Sequence, residues 1–311
     1  MSEIAEMRPK EPDWETVTPE ELAVYQMAEN RLRASAEARV ITGAPEPGAA
    51  IGWESVAFPD RAVPVRVYRP DSGEVLPAVI HVHGGGIVGT AAQSDWINSH
   101  LAVHLPAVVI SVEHRLLDWQ TPLSAAADDG WDVLRHVVEN APTWGVDPTR
   151  VALFGESFGG LINTLSALRA RHEGVDVRAQ VLVNPVLDLT SSAWSYDSVT
   201  EFSAGPTLPL SLLRFVQQLS VPSGADPRAL SPLHADDVGG LAPALVVLPT
   251  ADPLADHGRV FATRLADAGT PVQVSEYRGL VHAFLSMPGA FAQAEAARTE
   301  ILEHLKAHLA H

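Results

Sequence analysis

The chain has 311 residues, 46% of them hydrophobic, ample for a large core, and its 38 acidic against 21 basic side chains give a formal net charge of −17. A surface that acidic repels phosphate backbones and anionic lipid, so no nucleic-acid or membrane-surface partner is expected, and solubility is the plain reading of the charge. With no cysteine in the chain, disulfides, thiolate catalysis and cysteine metal sites are excluded.

The N-terminal stretch MSEIAEMRPKEPDWETVTPEE is charged and lacks an apolar h-region. No apolar run approaches the ~20 residues of a transmembrane helix, so no membrane span and a cytoplasmic location are expected. TPEELAVYQMAENRLRASAEAR then reads as a helix with Thr18 as N-cap and Pro19 in its first turn. From Ser55 the pattern changes, and VPVRVYRP alternates as a half-buried strand closed by Pro70 and Gly73.

Short apolar runs follow: PAVIHVH (77–83), AVVISVEHRL (107–116), RVALFG (150–155), AQVLVNPVLDL (179–189), PALVVLPTAD (243–252) and VQVSEY (272–277). Such runs are strands buried on both faces, as in a parallel sheet covered by helices. Helical stretches such as SAAADDGWDVLRHVVENA and FGGLINTLSALRARHE separate them, which indicates an α/β fold with a doubly wound sheet. Residues 190–235 break this rhythm, and they read either as a long surface connection or as an insertion over the C-terminal edge of the sheet.

Gly155-Glu156-Ser157-Phe158-Gly159 fits G-x-S-x-G. The motif is weak alone, but here a buried strand ends on Gly155 and a helix begins at once. A bend of that kind strains the backbone, needs small neighbours such as Gly155 and Gly159, and lifts the Ser157 hydroxyl above the sheet at the positive end of a helix. A serine hydroxyl needs a base. His282 lies just beyond the last predicted strand. His304, His308 and His311 read as one face of the final helix, and His257, beside an acid at a helix start, is the one rival.

The base needs an acid in turn. Asp252 follows PALVVLPTA at a strand tip, and Asp256, four residues on, reads as a first-turn helix acid. The order Ser157, Asp252, His282 differs from the chymotrypsin and subtilisin orders. His83-Gly84-Gly85-Gly86 follows the strand PAVIHVH, and successive glycines there expose backbone N–H groups to a developing oxyanion. His81 and His83 flank one strand residue and share a face by alternation, yet two histidines without a third ligand rarely hold a metal. No metal is expected.

Together these pieces resemble the hormone-sensitive-lipase-like, HGGG-type esterase branch of the α/β-hydrolases, over roughly Trp53 to His311. His83-Gly84-Gly85-Gly86 matches the HGGG tract, and Gly155 to Gly160 the G-[DE]-S-A-G-G elbow. Asp252-Pro253-Leu254-Ala255-Asp256-His257-Gly258 is similar to D-P-L-x-D-x-G, and Gly279 to Phe284 to G-x-x-H-x-F. The resemblance implies an α/β-hydrolase fold, a mostly parallel twisted sheet flanked by helices. It implies one domain over 1–311, with a helical cap from about 1–45 and 190–235.

It further implies a cofactor-free carboxylesterase acting on short-to-medium acyl esters through Ser157, His282 and Asp252, with a homodimer through the edge of the last strand. Gly84, Gly85 and Phe158 would supply the oxyanion N–H groups, and His83 would orient the glycine loop. Activity should rise through a pKa of roughly 6.5 to 7. A lactonase, amidase, carbamate hydrolase or peptidase would use the same residues, and a ligand-binding protein on this scaffold is the alternative of another class. His114 in place of the usual Tyr, Leu117-Asp118-Trp119 in place of Ala-Pro-Glu, and Phe158 in place of a small residue depart from the family pattern. The Phe158 ring is expected to lie against the pocket or beneath the nucleophile, narrowing the site and excluding bulky esters.

Overall fold

In a computed structural model of the chain, which describes residues 8–205 and 208–310, Thr18 caps the first helix as its sequence predicts. In α1 (Pro19–Arg33) the Glu21 N–H donates to Thr18 Oγ1 and the Thr18 N–H to Glu21 Oε2, a reciprocal capping box. A short α2 (Arg39–Thr42) follows, then β1 (Ala49–Ala57), β2 (Ala62–Pro70) and β3 (Leu76–Val82). Helix α3 (Asp95–His104), β4 (Val108–Val112), α4 (Leu123–Glu139), α5 (Ala141–Trp144), β5 (Val146–Glu156), α6 (Phe158–Glu173) and β6 (Ala179–Val183) complete the first two thirds. Then come α7 (Asp197–Phe202), α8 (Leu210–Ser220), β7 (Ala244–Ala251), α9 (Ala255–Asp267), β8 (Val272–Val281) and α10 (Gln293–Leu309).

Among the described residues, eight strands form one sheet in the order β1-β2-β4-β3-β5-β6-β7-β8. Pairs β1–β2 and β2–β4 are antiparallel and the rest parallel. Every residue of β3, β4 and β6 is buried, which explains their continuous apolar runs. One face packs on α4, α6 and α9 through Trp131, Ile162 and Phe261, the other on α3 and α10 through Leu101 and Ile301.

Strand β1 is absent from the sequence reading, which begins the strand pattern only at Ser55. It is an edge strand with Trp53 half exposed and Val56 its single fully buried residue, so no alternation marks it. Two apolar runs are shorter as strands than as sequence. The residues after Val112 and Val183 leave the sheet as loops; those at 184–189 stay buried, whereas of 113–116 only His114 does. Among the described residues, 190–235 carry α7, α8 and three 3₁₀ turns. This insertion meets the N-terminal segment where Trp14 stacks on Phe215, ring centroids 5.5 Å apart. Residues 1–7, 206 and 207 of the expected cap and His311 lie outside the described residues.

Candidate active site

Strand order places the chemistry. In the chain β3 runs on to β4 on one side and β5 returns on the other, so the tips of β3 and β5 lie side by side, Val82 opposite Gly155. That reversal opens a crevice at the C-terminal edge. The glycine tract leaves β3 there, and Ser157 leaves β5. Further along the sheet, Ala251 of β7 pairs with Val281 of β8, so the next residues, Asp252 and His282, are neighbours as well.

Ser157 has φ 54° and ψ −115°, a left-handed strain for a residue with a Cβ. The sheet holds it there: the Ser157 N–H donates to the Val183 carbonyl at 2.8 Å, and the Ser157 carbonyl accepts from the Leu161 and Val186 N–H groups. Gly159 has no alternative residue at this bend. A Cβ on it would stand 2.0 Å from the Val82 carbonyl oxygen, inside any van der Waals contact.

The Ser157 hydroxyl lies 2.8 Å from His282 Nε2, and His282 Nδ1 lies 2.8 Å from Asp252 Oδ2. The other Asp252 oxygen accepts the Leu254 N–H at 2.9 Å. Asp252 is 0% exposed, His282 6% and Ser157 9%. Burial pulls the imidazole down, but the Asp252 charge, its hydrogen bond and the Glu156 charge outweigh burial and hold His282 above its usual 6.5.

The glycine tract closes over the serine. Gly85 has φ 100°, and a Cβ there would come 1.7 Å from the Val88 carbonyl oxygen, so the loop is built for glycine. Gly84, Gly85, Gly86, Phe158, Ser157 and His282 border one cavity of about 310 Å³. Its remaining wall is largely apolar and includes Leu32 and Ile41 from the N-terminal segment and Leu208, Leu212 and Val216 from residues 190–235.

The rivals fall elsewhere. His257 Nδ1 accepts the Leu187 N–H, and burial pushes its pKa down to about 4, so it is a neutral packing residue bonded to Leu187, whereas Ser157 Oγ is bonded to His282. Asp256 accepts from the Ser198 N–H and from Arg259, tying α7 to α9. His83 accompanies the tract, with Nδ1 3.1 Å from the Gly84 carbonyl, and burial lowers it to about 4. His81 bonds Ser111 and packs on Phe154, so the two histidines that alternation put on one face have different partners.

The departures from the family pattern touch one another. His114 stacks on His83, centroids 4.3 Å apart, and its ring lies 5.9 Å from that of Phe158. The Phe158 ring in turn lies so close to Gly86 that a Cβ there would be 3.0 Å from it. Phe158 is 1% exposed and borders the cavity, with its ring packed against Gly86 and beside His114. Truncation to alanine should cost about 3 to 5 kcal/mol of stability, and a thermal melt of Phe158→Ala checks it. An unshifted midpoint would show that the ring does not support the tract.

Other contacts have no signal in the sequence. Glu156, the acid that the elbow pattern specifies before the serine, is buried at the cavity, its pKa raised by burial, and accepts the Ser286 hydroxyl at 2.5 Å. It thereby ties the elbow to the loop that carries His282. Helix α1 is bonded to the glycine loop: Asn30 Oδ1 accepts the Gly89 N–H at 2.7 Å, and Arg33 donates to Gln93, which donates to the Gly84 carbonyl at 3.1 Å. Gln26 holds the Leu117 carbonyl, and the Leu117 N–H donates to the Gly86 carbonyl. These partners are 59 to 91 residues apart, so only the fold joins them.

The chain is similar to known proteins. A family model described as alpha/beta hydrolase fold matches residues 79–286. The chain is 35% identical over 257 residues to an ethyl acetate hydrolase of Pseudomonas putida, covering 79% of each chain. It is 36% identical over 235 residues to the carboxylesterase NlhH of Mycobacterium tuberculosis, covering 72% of each. Among solved structures it resembles a hyperthermophilic esterase of Pyrobaculum calidifontis at a TM-score of 0.82 and 29% identity, covering 93% of this chain and 96% of that one.

Proposed function

This chain belongs to the α/β-hydrolase family, in its hormone-sensitive-lipase-like esterase branch, and we propose that Ser157, His282 and Asp252 are the residues with which it hydrolyses carboxylic esters. The observation that carries the assignment is the line of 2.8 Å contacts from Ser157 Oγ to His282 Nε2 and from His282 Nδ1 to Asp252.

The Ser157 oxygen attacks the ester carbonyl carbon as its proton passes to His282 Nε2. The carbonyl oxygen becomes an oxyanion, which the N–H groups of Gly84, Gly85 and Phe158 receive. Such donors are each worth on the order of 10²- to 10³-fold in kcat. Collapse expels the alcohol, protonated by His282, and leaves Ser157 acylated. Water then repeats the attack, giving its proton to His282, and the acid departs as the serine recovers its own. The Asp252 carboxylate keeps Nδ1 as the protonated nitrogen throughout and stabilises the imidazolium.

The cap we assign to about 1–45 and 190–235, because both segments line the cavity. Its apolar wall and volume near 310 Å³ favour short-to-medium acyl chains, since that is at the small end of ligand pockets, roughly 300 to 1,000 Å³. A series of p-nitrophenyl esters from acetate to decanoate tests this. kcat/KM should peak among the shorter chains and fall about tenfold or more by decanoate. A steady rise to decanoate would remove the substrate class while leaving the triad standing.

A further inference from the structure

Outside the cavity the fold gathers a second set of polar side chains. His100 and His104 stand four residues apart near the end of α3, a spacing that puts both rings on one helix face; their centroids are 4.3 Å apart. Glu46 comes from the segment between α2 and β1. Its N–H donates to Ser99 Oγ at 2.8 Å, which fixes its backbone against α3. Its carboxylate then spans the two imidazoles, with Oε2 2.6 Å from His100 Nδ1 and Oε1 bonded to His104 Nε2. One ligand atom from each of the three residues lies within 4.8 Å of the other two.

We propose that Glu46, His100 and His104 form a binding site for a divalent transition metal, with Zn²⁺ the best match. Two imidazole nitrogens and one carboxylate oxygen are the donor set Zn²⁺ takes in three-ligand sites, water completing the tetrahedron. Glu46 and His100 are half-buried and His104 is exposed, so an ion can reach the site from solvent. Burial alone would raise Glu46, but its bonds to His104 and His100 hold it below the usual carboxylate range.

Arg298 is the opposing charge. It stacks over Trp96, its guanidinium carbon 4.0 Å from the ring, and its field acts on Glu46 and His100. Its charge weakens cation binding relative to an unopposed trio, and the net charge of −17 acts the other way. The sequence expectation of no metal weighed only His81 and His83, because Glu46 is 54 residues from His100.

A metal here would act as a staple. The segment bearing Glu46 returns from α1 and α2 to the sheet, and it lies tight on α3, where a Cβ on Gly43 would come 2.5 Å from Trp96. Cross-linking it to α3 fastens that return.

The test is calorimetric titration of the full chain, stripped with a chelator, with Zn²⁺ alone. One equivalent should bind to wild type, and Glu46→Gln and His104→Gln should each weaken it about tenfold or more. Saturating Zn²⁺ should raise the thermal midpoint of wild type and not of Glu46→Gln. Neither residue borders the catalytic cavity, so both variants should hydrolyse esters at the wild-type rate without metal, which verifies their folding. Absence of binding to wild type, or affinity within twofold of wild type in both variants, overturns the proposal.

Discussion

Replacing Ser157 with alanine should lower kcat for p-nitrophenyl butyrate by about four orders of magnitude or more, since triad members act as a unit. The change deletes one oxygen, the atom 2.8 Å from His282 Nε2. The elbow itself should persist. The Ser157 N–H still reaches the Val183 carbonyl, and its carbonyl still accepts from Leu161 and Val186, so the strained φ of 54° is imposed from outside the side chain. A melting midpoint near that of wild type would separate lost chemistry from lost fold. A fluorophosphonate probe gives an independent reading, since it should label wild type at Ser157 and leave the alanine variant unmodified. A wild-type protein that bound esters yet resisted the probe would be the ligand-binding alternative.

How far the site could be read from sequence depends on how local each signal was. The elbow, the glycine tract and the tips of β7 and β8 are each written in one short stretch: small residues where the chain must bend, after apolar runs that must be strands. Registers Val82–Gly155 and Ala251–Val281 then bring the stretches together, and a doubly wound sheet makes such pairing general rather than particular. What stayed hidden is what depends on three-dimensional neighbours. Strand β1 shows no alternation because only Val56 is fully buried.

Phe158 illustrates the same limit. The sequence left its ring either against the pocket or beneath the nucleophile, because a side chain's direction depends on what packs around it, and in space Gly86 and His114 pack against the ring at the border of the cavity. His114 and Phe158, separate departures in sequence, are one packed feature in space. The bonds from α1 to Gly89, Gln93 and Leu117 have a mechanical consequence. The helix whose Leu32 and Arg33 wall the cavity also holds the glycine loop that is proposed to bear the oxyanion donors.

Asp252→Asn should preserve the fold and lower kcat by roughly 10³- to 10⁴-fold through the tautomer of His282. Asparagine keeps an oxygen for the Leu254 N–H, which Asp252 Oδ1 now accepts, and turns its amide NH₂ toward His282 Nδ1. That nitrogen must then accept. The proton of the neutral ring moves to Nε2, which faces Ser157 Oγ, and the base has no lone pair for the serine proton.

The pH profile should report the same change. Catalysis needs neutral His282, so wild-type activity should rise with pH through a value above 6.5, because Asp252 and Glu156 raise the imidazole against burial. Without the Asp252 charge, burial has only Glu156 to oppose it, and the ascending limb of the variant should lie at lower pH than in wild type. Residual activity at neutral pH would then be low but already on its plateau. A limb left in place, or a kcat within tenfold of wild type, would mean that Asp252 does not govern His282.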